Sequence, residues 1–236
     1  MARRLVVPAA LVFVAACGST PEPTTTPDST QDTGADHRGP TVGVEADIGA
    51  LNEGQVTATF QKSQGALGHC MDKGREKLPY LAGTVHFKVR VGSSGKANEA
   101  HLTTSTLGDR DTEACMLDAL RAASWPEPVG GREGIAETEF TFDPEGSVRM
   151  PVDWDQENAG KNVQKAKAAI SKCRSSSGAS VLVATVYVET DGSVLAVGVS
   201  GDDGAEKAAP CVVRALKEVK FNSPGSFAAK LVLGDS

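Results

Sequence analysis

The same order of apolar residues and cysteines occurs twice along this 236-residue chain, and this internal duplication limits the folds that it can adopt. The first copy begins with Phe60, Leu67 and Cys70, which are separated by seven and three residues, that is by two helical turns and one. The second copy has Ile170 and Cys173 at matching offsets. Such spacing forms one stripe of an amphipathic helix, so each copy is predicted to begin with a helix.

A strand, a glycine turn and a return strand are predicted next in each copy. Apolar and polar residues alternate over residues 85–91 of the first copy, and residues 182–188 are the apolar-rich counterpart. The turns end at Gly95 and Gly192, because glycine tolerates the positive φ that hairpin turns require. The two copies therefore share a predicted hairpin.

The return strands share an irregularity, and the rest of each copy is also shared. Apolar spacing shifts by one residue, which predicts a β-bulge near 98–99 and near 195–196. A second helix carries Cys115 in one copy and Cys211 in the other, and a last strand follows. Pro210 is expected in the first turn of its helix, where its missing N–H is tolerated.

The order α-β-β-α-β, found twice, predicts an α+β protein. We expect two tandem units, each a small three-stranded antiparallel sheet with two helices, after a disordered lipidated N-terminus. The segment before them is rich in Thr, Pro, Asp and Gly, which is typical of a flexible tether. The predicted boundaries are a signal peptide at 1–16, the tether at 17–50, unit one at 51–145, a linker at 146–158 and unit two at 159–236.

The N-terminus predicts export and lipidation. Two arginines precede an apolar run over residues 5–16, which is too short to span a bilayer as a helix. Val14-Ala15-Ala16-Cys17-Gly18 then resembles the lipobox of bacterial lipoproteins, which implies an acylated cysteine at the mature N-terminus. We expect a lipid on Cys17 that anchors the chain in the cell envelope, at the outer membrane facing the periplasm. A secretory signal with an unmodified cysteine is the alternative.

Four cysteines remain after Cys17, an even number that suits an oxidising compartment. Each predicted unit has one cysteine on each of its helices. This arrangement favours disulfides Cys70–Cys115 and Cys173–Cys211 over the two other pairings. The alternatives are a four-cysteine metal site, free buried thiols and a redox-active pair, but no C-x-x-C spacing occurs.

The charge of the chain argues against nucleic acid as a partner. Without residues 1–16 it has 22 basic and 30 acidic residues. The sequence shows no Lys and Arg cluster of the kind that phosphate backbones need. We therefore expect neither nucleic-acid binding nor a cationic patch for a membrane surface.

Two candidate metal sites are weak. The first hairpin is expected to place His86 opposite His101 and Lys88 opposite Glu99, but two imidazoles alone make a poor site. A solvated polar face is the competing interpretation. A second run, Asp153-x-Asp155-x-Glu157, resembles the start of a calcium loop but has Asn158 and Gln164 where glycine and glutamate are needed. We assign no metal, no cofactor and no catalytic residue.

The outward face of the second hairpin is unusually apolar. Val183, Thr185 and Tyr187 occupy the places that His86, Lys88 and Arg90 occupy in the first. This face is expected to dock against the first unit or to bind a partner.

Part of the first unit resembles a known family. The matching residues are Leu78-Pro79-Tyr80-Leu81-Ala82-Gly83-Thr84-Val85, Gly95, Ser105-Thr106-Leu107-Gly108-Asp109, Cys115 and Trp125-Pro126. They resemble the AgmX/PglI C-terminal domain of gliding bacteria, which is similar to the C-terminal domains of TonB and TolA. The second unit matches more loosely.

This resemblance implies an envelope interaction module without catalytic residues, and TonB pairs with a strand of its partner. We therefore expect a lipid-anchored scaffold or adaptor that binds other envelope proteins and belongs to a motility or transport complex, and not an enzyme. A periplasmic metal or small-ligand binder is the alternative, and a cell-wall hydrolase is a weaker one, since paired acids or a nucleophile with a base are not evident.

Overall fold

The computed structural model describes residues 46–234, which form four helices and eight strands. The first half contains β1 (Ala46–Ile48), α1 (Glu53–Lys77), β2 (Gly83–Gly92), β3 (Ala97–Ser105), α2 (Arg110–Ala122) and β4 (Gly131–Phe142). The second half contains β5 (Val152–Trp154), α3 (Asn162–Ser177), β6 (Leu182–Val188), β7 (Val194–Gly201), α4 (Ala205–Lys217) and β8 (Ala229–Gly234).

The strands form two four-stranded sheets with the orders β1-β4-β2-β3 and β5-β8-β6-β7. Three neighbouring strands in each sheet are antiparallel, namely β4-β2-β3 and β8-β6-β7. This arrangement confirms the α+β class and the three-stranded antiparallel sheet predicted from the sequence.

A fourth, parallel strand in each sheet is not predicted from the sequence. β1 lies within the predicted tether and pairs with Gly131 and Glu133 of β4. β5 lies within the predicted linker and pairs with residues 229–231 of β8. The end of the predicted tether and the predicted linker therefore each contain a short strand. Three-residue strands are too short to show a hydrophobic period, and pairing with an open sheet edge is what orders them.

Both predicted bulges are present. β2 and β3 shift their register at Asn98, and β6 and β7 shift theirs at Leu195. In each case two residues of the return strand oppose one residue of its partner, as a bulge requires. The irregular spacing in the sequence is thus the direct signature of a backbone feature.

Capping residues and a close helix contact position the first helix pair. The side chain of Asn52 accepts a hydrogen bond from the Gln55 amide at 3.0 Å, and Asp109 caps α2 by accepting from the Thr112 amide at 3.1 Å. Gly74 lets α1 approach α2, because a Cβ atom there would collide with the Thr112 side chain. The two helices are therefore close enough to be bridged.

Disulfides Cys70–Cys115 and Cys173–Cys211 join α1 to α2 and α3 to α4, with Cα–Cα distances of 5.8 and 5.7 Å. This is the pairing that the sequence favours. Cys70 and Cys173 are buried in the two hydrophobic cores. Each bridge therefore closes a helix pair over its own sheet.

Pro210 does not lie in the first turn of its helix. α4 begins at Ala205, after a turn in which Asp202 accepts from the Gly204 amide at 3.2 Å. The helix therefore starts one turn earlier than expected, and Pro210 leaves the Glu206 carbonyl without its helical N–H partner. Because Pro210 is exposed, this missing helical hydrogen bond lies on the outer side of α4 and not in the core.

The open face of the second sheet packs against the first half. Tyr187 and Ala196 belong to the hydrophobic core of the first half, and Tyr187 is fully buried. The Thr185 hydroxyl donates to the Ser105 carbonyl at 3.0 Å. Of the two roles expected for this apolar face, the structure shows docking against the first half. Both halves belong to the same compact unit.

None of the helices between residues 46 and 234 has both the length and the apolar character needed to cross a membrane.

Candidate functional site

The outer edge of β4 is an open strand edge. On one side, β4 pairs with β2 over residues 133–142. On the other side, β1 pairs only with Gly131 and Glu133, and no other described strand pairs there. Residues 134–142 therefore have a strand partner on one side only. An edge of this kind can accept another strand by backbone hydrogen bonding.

Alternation along β4 identifies the backbone groups that face the open side. The Glu133 carbonyl accepts from the Gly49 amide at 2.6 Å, so residue 133 directs its backbone groups away from β2. Successive residues of a strand alternate in this direction. The N–H and C=O groups of Ile135, Glu137, Glu139 and Thr141 therefore face outward. These four N–H and four C=O groups form one continuous row along the edge of the strand.

The side chains beside this edge are aromatic on one face of the sheet and acidic on the other. Phe140 lies 6.0 Å from Phe87 and 6.3 Å from Phe142 between ring centroids, and Phe140 and Phe142 are only partly buried. On the opposite face Glu137 pairs with Lys88 at 3.2 Å, whereas no ion pair between described residues includes Glu139. The edge is therefore flanked by apolar surface and by free negative charge.

The other strand edges are more closed. β3 and β7 lie against each other at the junction of the two halves. In the second sheet, β5 covers residues 229–231 of β8, and the Gln156 amide donates to the Val232 carbonyl at 3.0 Å. β8 also has six residues, against twelve in β4. The long open edge therefore belongs to the first half.

A buried carboxyl group, that of Glu113, connects the two halves. Its Oε1 accepts from the Ser105 hydroxyl at 2.6 Å, and its Oε2 accepts from the Val199 amide at 2.8 Å. Burial raises the pKa of Glu113 to about 7, although the bonds from Ser105 and Val199 and the charge of Arg110 act in the opposite direction. Gly198 makes room for the carboxylate, because a Cβ atom there would collide with Oε1.

A pair of oppositely charged residues closes the same junction nearer the surface. The Arg110 guanidinium donates to both carboxylate oxygens of Glu206, at 2.9 and 2.8 Å. Arg121 donates to the same carboxylate at 3.3 Å. Such bidentate geometry fixes the relative orientation of the two groups. The junction therefore has a hydrogen-bonded interior and an ion-paired rim.

The predicted histidine pair is not formed. His86 faces Thr104, while His101 faces Lys88. The prediction is wrong because the hairpin loop, the bulge at Asn98 and a second register shift between His86 and Phe87 together displace the partner of His86 by three residues. His101 is buried, and burial lowers its pKa despite the nearby carboxylate of Glu99. The two imidazoles therefore do not share a site.

The acidic run has a structural role. Asp153 lies in β5, and Asp155 accepts from the backbone amide and side-chain amide of Asn158, each at 2.7 Å. Across residues 46–234, no three His, Cys, Asp or Glu side chains are placed to hold a metal ion. Cys17, the predicted lipidation site, lies outside the described residues.

The expectation that Lys and Arg do not cluster is wrong for one surface. α3 and α4 together carry seven basic residues and one acidic residue, and they pack side by side over the second sheet. Charge along the chain does not reveal this cluster, because its cations come from two helices that are adjacent only after folding.

Sequence reasoning missed both the open edge and Glu113. A signal existed for Glu113, because it lies on the same helical stripe as Met116 and Leu120, which are buried. A charged residue on an apolar stripe indicates burial with a partner. The open edge had no such signal, since it depends on where β1 stops pairing.

Comparison of the chain with family models, with curated proteins and with solved structures finds no match. Fold and site define a disulfide-bonded α+β protein with two four-stranded sheets and one long open strand edge.

Proposed function

We propose that this chain is a lipid-anchored cell-envelope adaptor that binds an extended segment of another envelope protein along the outer edge of β4. The observation that supports this function is the run of outward-facing backbone groups from Ile135 to Thr141, which has no strand partner among the described residues. Backbone pairing at such an edge supplies affinity, and the flanking side chains supply specificity.

The side chains beside the edge indicate what the partner segment is like. One row of its residues would lie next to Glu137 and Glu139, where Lys or Arg is favoured across strands. The alternate row would cover Phe140 and Phe142, where apolar residues are favoured. The proposed ligand is therefore an extended peptide that alternates basic and apolar residues.

The lipid anchor and the location belong to the same proposal. Support comes from the lipobox-like sequence at Cys17 and from the resemblance of the first half to envelope interaction domains. The anchor would hold the adaptor at the outer membrane, facing the periplasm. The proposal includes no catalytic step and no cofactor.

Photo-crosslinking in intact cells tests the edge. A photoreactive amino acid in place of Thr141 is expected to give a covalent product with an envelope protein, because this residue borders the partner strand. The same amino acid in place of Lys62, exposed on α1, is the control and is expected to give no such product.

Glu139→Pro is expected to lower the yield of the Thr141 product by about tenfold, because proline removes an outward N–H and crowds the partner strand. The β2–β4 pairing does not use that N–H, so the fold is retained. Glu139→Ala is the matched control that keeps the backbone. Equal yields for the proline and alanine variants would contradict strand pairing.

Amide hydrogen exchange supplies a second readout once the partner peptide is known from the crosslink. Ile135, Glu137 and Glu139 are expected to gain protection when the peptide binds, since their amides face the open side. The amide of Phe140 faces β2 and is expected to change little. Protection spread evenly over both sets would indicate a different binding mode.

Metabolic labelling tests the anchor. Cells supplied with a clickable palmitate analogue are expected to label the wild-type chain, and Cys17→Ser is expected to abolish the label and to release the protein from the membrane fraction. Cys70→Ala/Cys115→Ala, which removes one bridge without leaving an unpaired thiol, serves as the control for loss of cysteines elsewhere and is expected to keep the label. A labelled Cys17→Ser variant, or an unlabelled wild type, would overturn this part of the proposal.

A further inference from the structure

The helix layer over the second sheet carries an unusual charge distribution. α3 contains four basic residues and no acidic one, and α4 contains three basic residues and one acidic one. The basic residues are Lys165, Lys167, Lys172 and Arg174 in α3, and Lys207, Arg214 and Lys217 in α4. Of the chain's 24 basic and 30 acidic residues, this leaves 17 and 29 elsewhere. A cationic layer is thus set within an acidic protein.

The corresponding layer over the first sheet is the internal comparison. α1 and α2 together contain six basic and six acidic residues. Both layers have the same architecture of two helices joined by a disulfide. The cationic character is therefore a property of the second layer and not a consequence of the fold.

The single carboxylate of the cationic layer is directed away from its surface. Glu206 is paired with Arg110 and Arg121 at the junction, and its side chain is 18% exposed. Glu218, directly after α4, is exposed beside Lys217 and Lys220. Among the described residues, neither carboxylate forms an ion pair with Lys165, Lys167 or Lys172 of α3. These two carboxylates therefore leave the lysines of α3 without an acidic partner.

The lysines of α3 point away from the core. Val163, Ala166 and Ile170 form the buried stripe of α3, while Lys165 and Lys172 are exposed on the opposite side, seven residues apart. Residues at this spacing lie above one another on a helix. They form one outward ridge.

α4 presents a second ridge of the same kind. Lys207 and Arg214 are exposed and seven residues apart, opposite the buried Ala208, Val212 and Leu216. No ion pair between described residues includes Lys165, Lys172, Lys207 or Arg214. Packed helices lie about 8–10 Å apart, so the two ridges form one broad surface.

We propose that this cationic layer docks on an anionic lipid surface. The layer offers a broad array of charge on long side chains, with small residues such as Ala168 and Ser175 beside the lysines. α3 and α4 contain no aromatic residue that could stack on the bases of a nucleic acid. Spread positive charge without stacking groups suits lipid headgroups, which attract Lys and Arg without a shaped pocket. This surface is distinct from the β4 edge, so the inference goes beyond the proposed function.

Vesicle binding tests the inference on the full chain with Cys17→Ser, so that an acyl chain cannot supply the affinity. Vesicles of phosphatidylglycerol and phosphatidylcholine are expected to bind the protein in a sedimentation assay, and vesicles of phosphatidylcholine alone are not. Added salt is expected to weaken the binding, because exposed charges are screened over about 10 Å at 0.1 M. Absence of binding to the anionic vesicles at low salt would overturn the inference.

Two matched triple variants separate this surface from net charge. Lys165→Gln/Lys172→Gln/Arg214→Gln is expected to weaken vesicle binding by at least about tenfold, since each cation near a lipid surface contributes roughly fivefold. The control changes three exposed lysines elsewhere by the same charge, as Lys62→Gln/Lys73→Gln/Lys96→Gln.

The control triple variant is expected to keep most of the affinity, and both variants are expected to keep the circular dichroism spectrum of the wild type. An equal loss in both variants would show that only net charge matters and would overturn the assignment. Binding to duplex DNA without binding to anionic vesicles would also overturn it, in favour of a different polyanion.

Discussion

Glu113→Ala is expected to lower the free energy of unfolding by about 3 kcal/mol at pH 5. The Ser105 hydroxyl and the Val199 amide would lose their acceptor in a fully buried site, and an unsatisfied buried group costs about 1–3 kcal/mol. The missing carboxyl group would also leave a cavity at the junction. Urea unfolding followed by tryptophan fluorescence measures the change, because Trp125 and Trp154 report on the first and second half.

The wild-type protein is expected to lose stability as the pH rises from about 4.5 to 7. Burial raises the pKa of Glu113 from 4.5 to about 7, so the folded state holds this proton more tightly than the unfolded state does. The stabilisation that protonated Glu113 supplies is complete below its pKa in the unfolded state and is lost as the pH rises through its pKa in the folded state. By linkage, the free energy of unfolding is expected to be about 3 kcal/mol lower above this pH range than below it. The effect of Glu113→Ala is therefore expected to be smaller at pH 8 than at pH 5.

Glu113→Gln isolates the ionisation from the hydrogen bonds. Its amide oxygen can accept from the Val199 amide and its nitrogen can donate to the Ser105 oxygen, with no charge at any pH. This variant is expected to have a flatter dependence of stability on pH than the wild type. Glu127→Gln, at an exposed position, is the control and is expected to keep the wild-type slope. A wild-type slope in Glu113→Gln would show that another group is responsible.

Loss of either disulfide is expected to lower the free energy of unfolding by as much as Glu113→Ala does, or by more. The bridges close segments with sequence separations of 45 and 38 residues. In the chain-entropy treatment each cross-link of this length stabilises a protein by about 4 kcal/mol. Cys70→Ala/Cys115→Ala and Cys173→Ala/Cys211→Ala are each expected to lose up to this amount. A protein of this size has roughly 5–15 kcal/mol in total, so removal of both bridges is expected to leave it largely unfolded.

Chemical unfolding of the two double variants also tests the junction. Each is expected to unfold in a single transition, because the buried contacts of Glu113 and Tyr187 couple the halves. Non-reducing peptide mapping of the wild type should show only the links 70–115 and 173–211. Changes below about 1 kcal/mol in both double variants would contradict the stabilising role of the bridges.

Local patterns in the sequence were sufficient for features that depend on neighbouring residues. Alternation predicted β2 and β6, and a one-residue shift in the apolar spacing predicted the bulges at Asn98 and Leu195. One cysteine on the buried stripe of each helix predicted the pairing of the disulfides. These features follow from the periodicity of the backbone, which determines the spacing of apolar residues in the sequence.

Pairings that depend on cumulative register were less predictable. His86 and His101 do not face each other because the hairpin loop and two register shifts, at Asn98 and between His86 and Phe87, each displaced the pairing by one residue. A slip of this size changes which residues are neighbours across the strands. The candidate metal pair was lost for that reason alone.

The sequence by itself determined the α+β class, the hairpins with their bulges, and a cysteine on each helix, since periods of 2 and 3.6 residues and local turn chemistry encode them. Only the tertiary structure decided that β1 stops pairing at Glu133, that the second sheet covers Glu113, and that α3 and α4 bring their cations together. These outcomes join residues far apart in the chain, and their positions are set by packing between the two halves, which no local pattern contains.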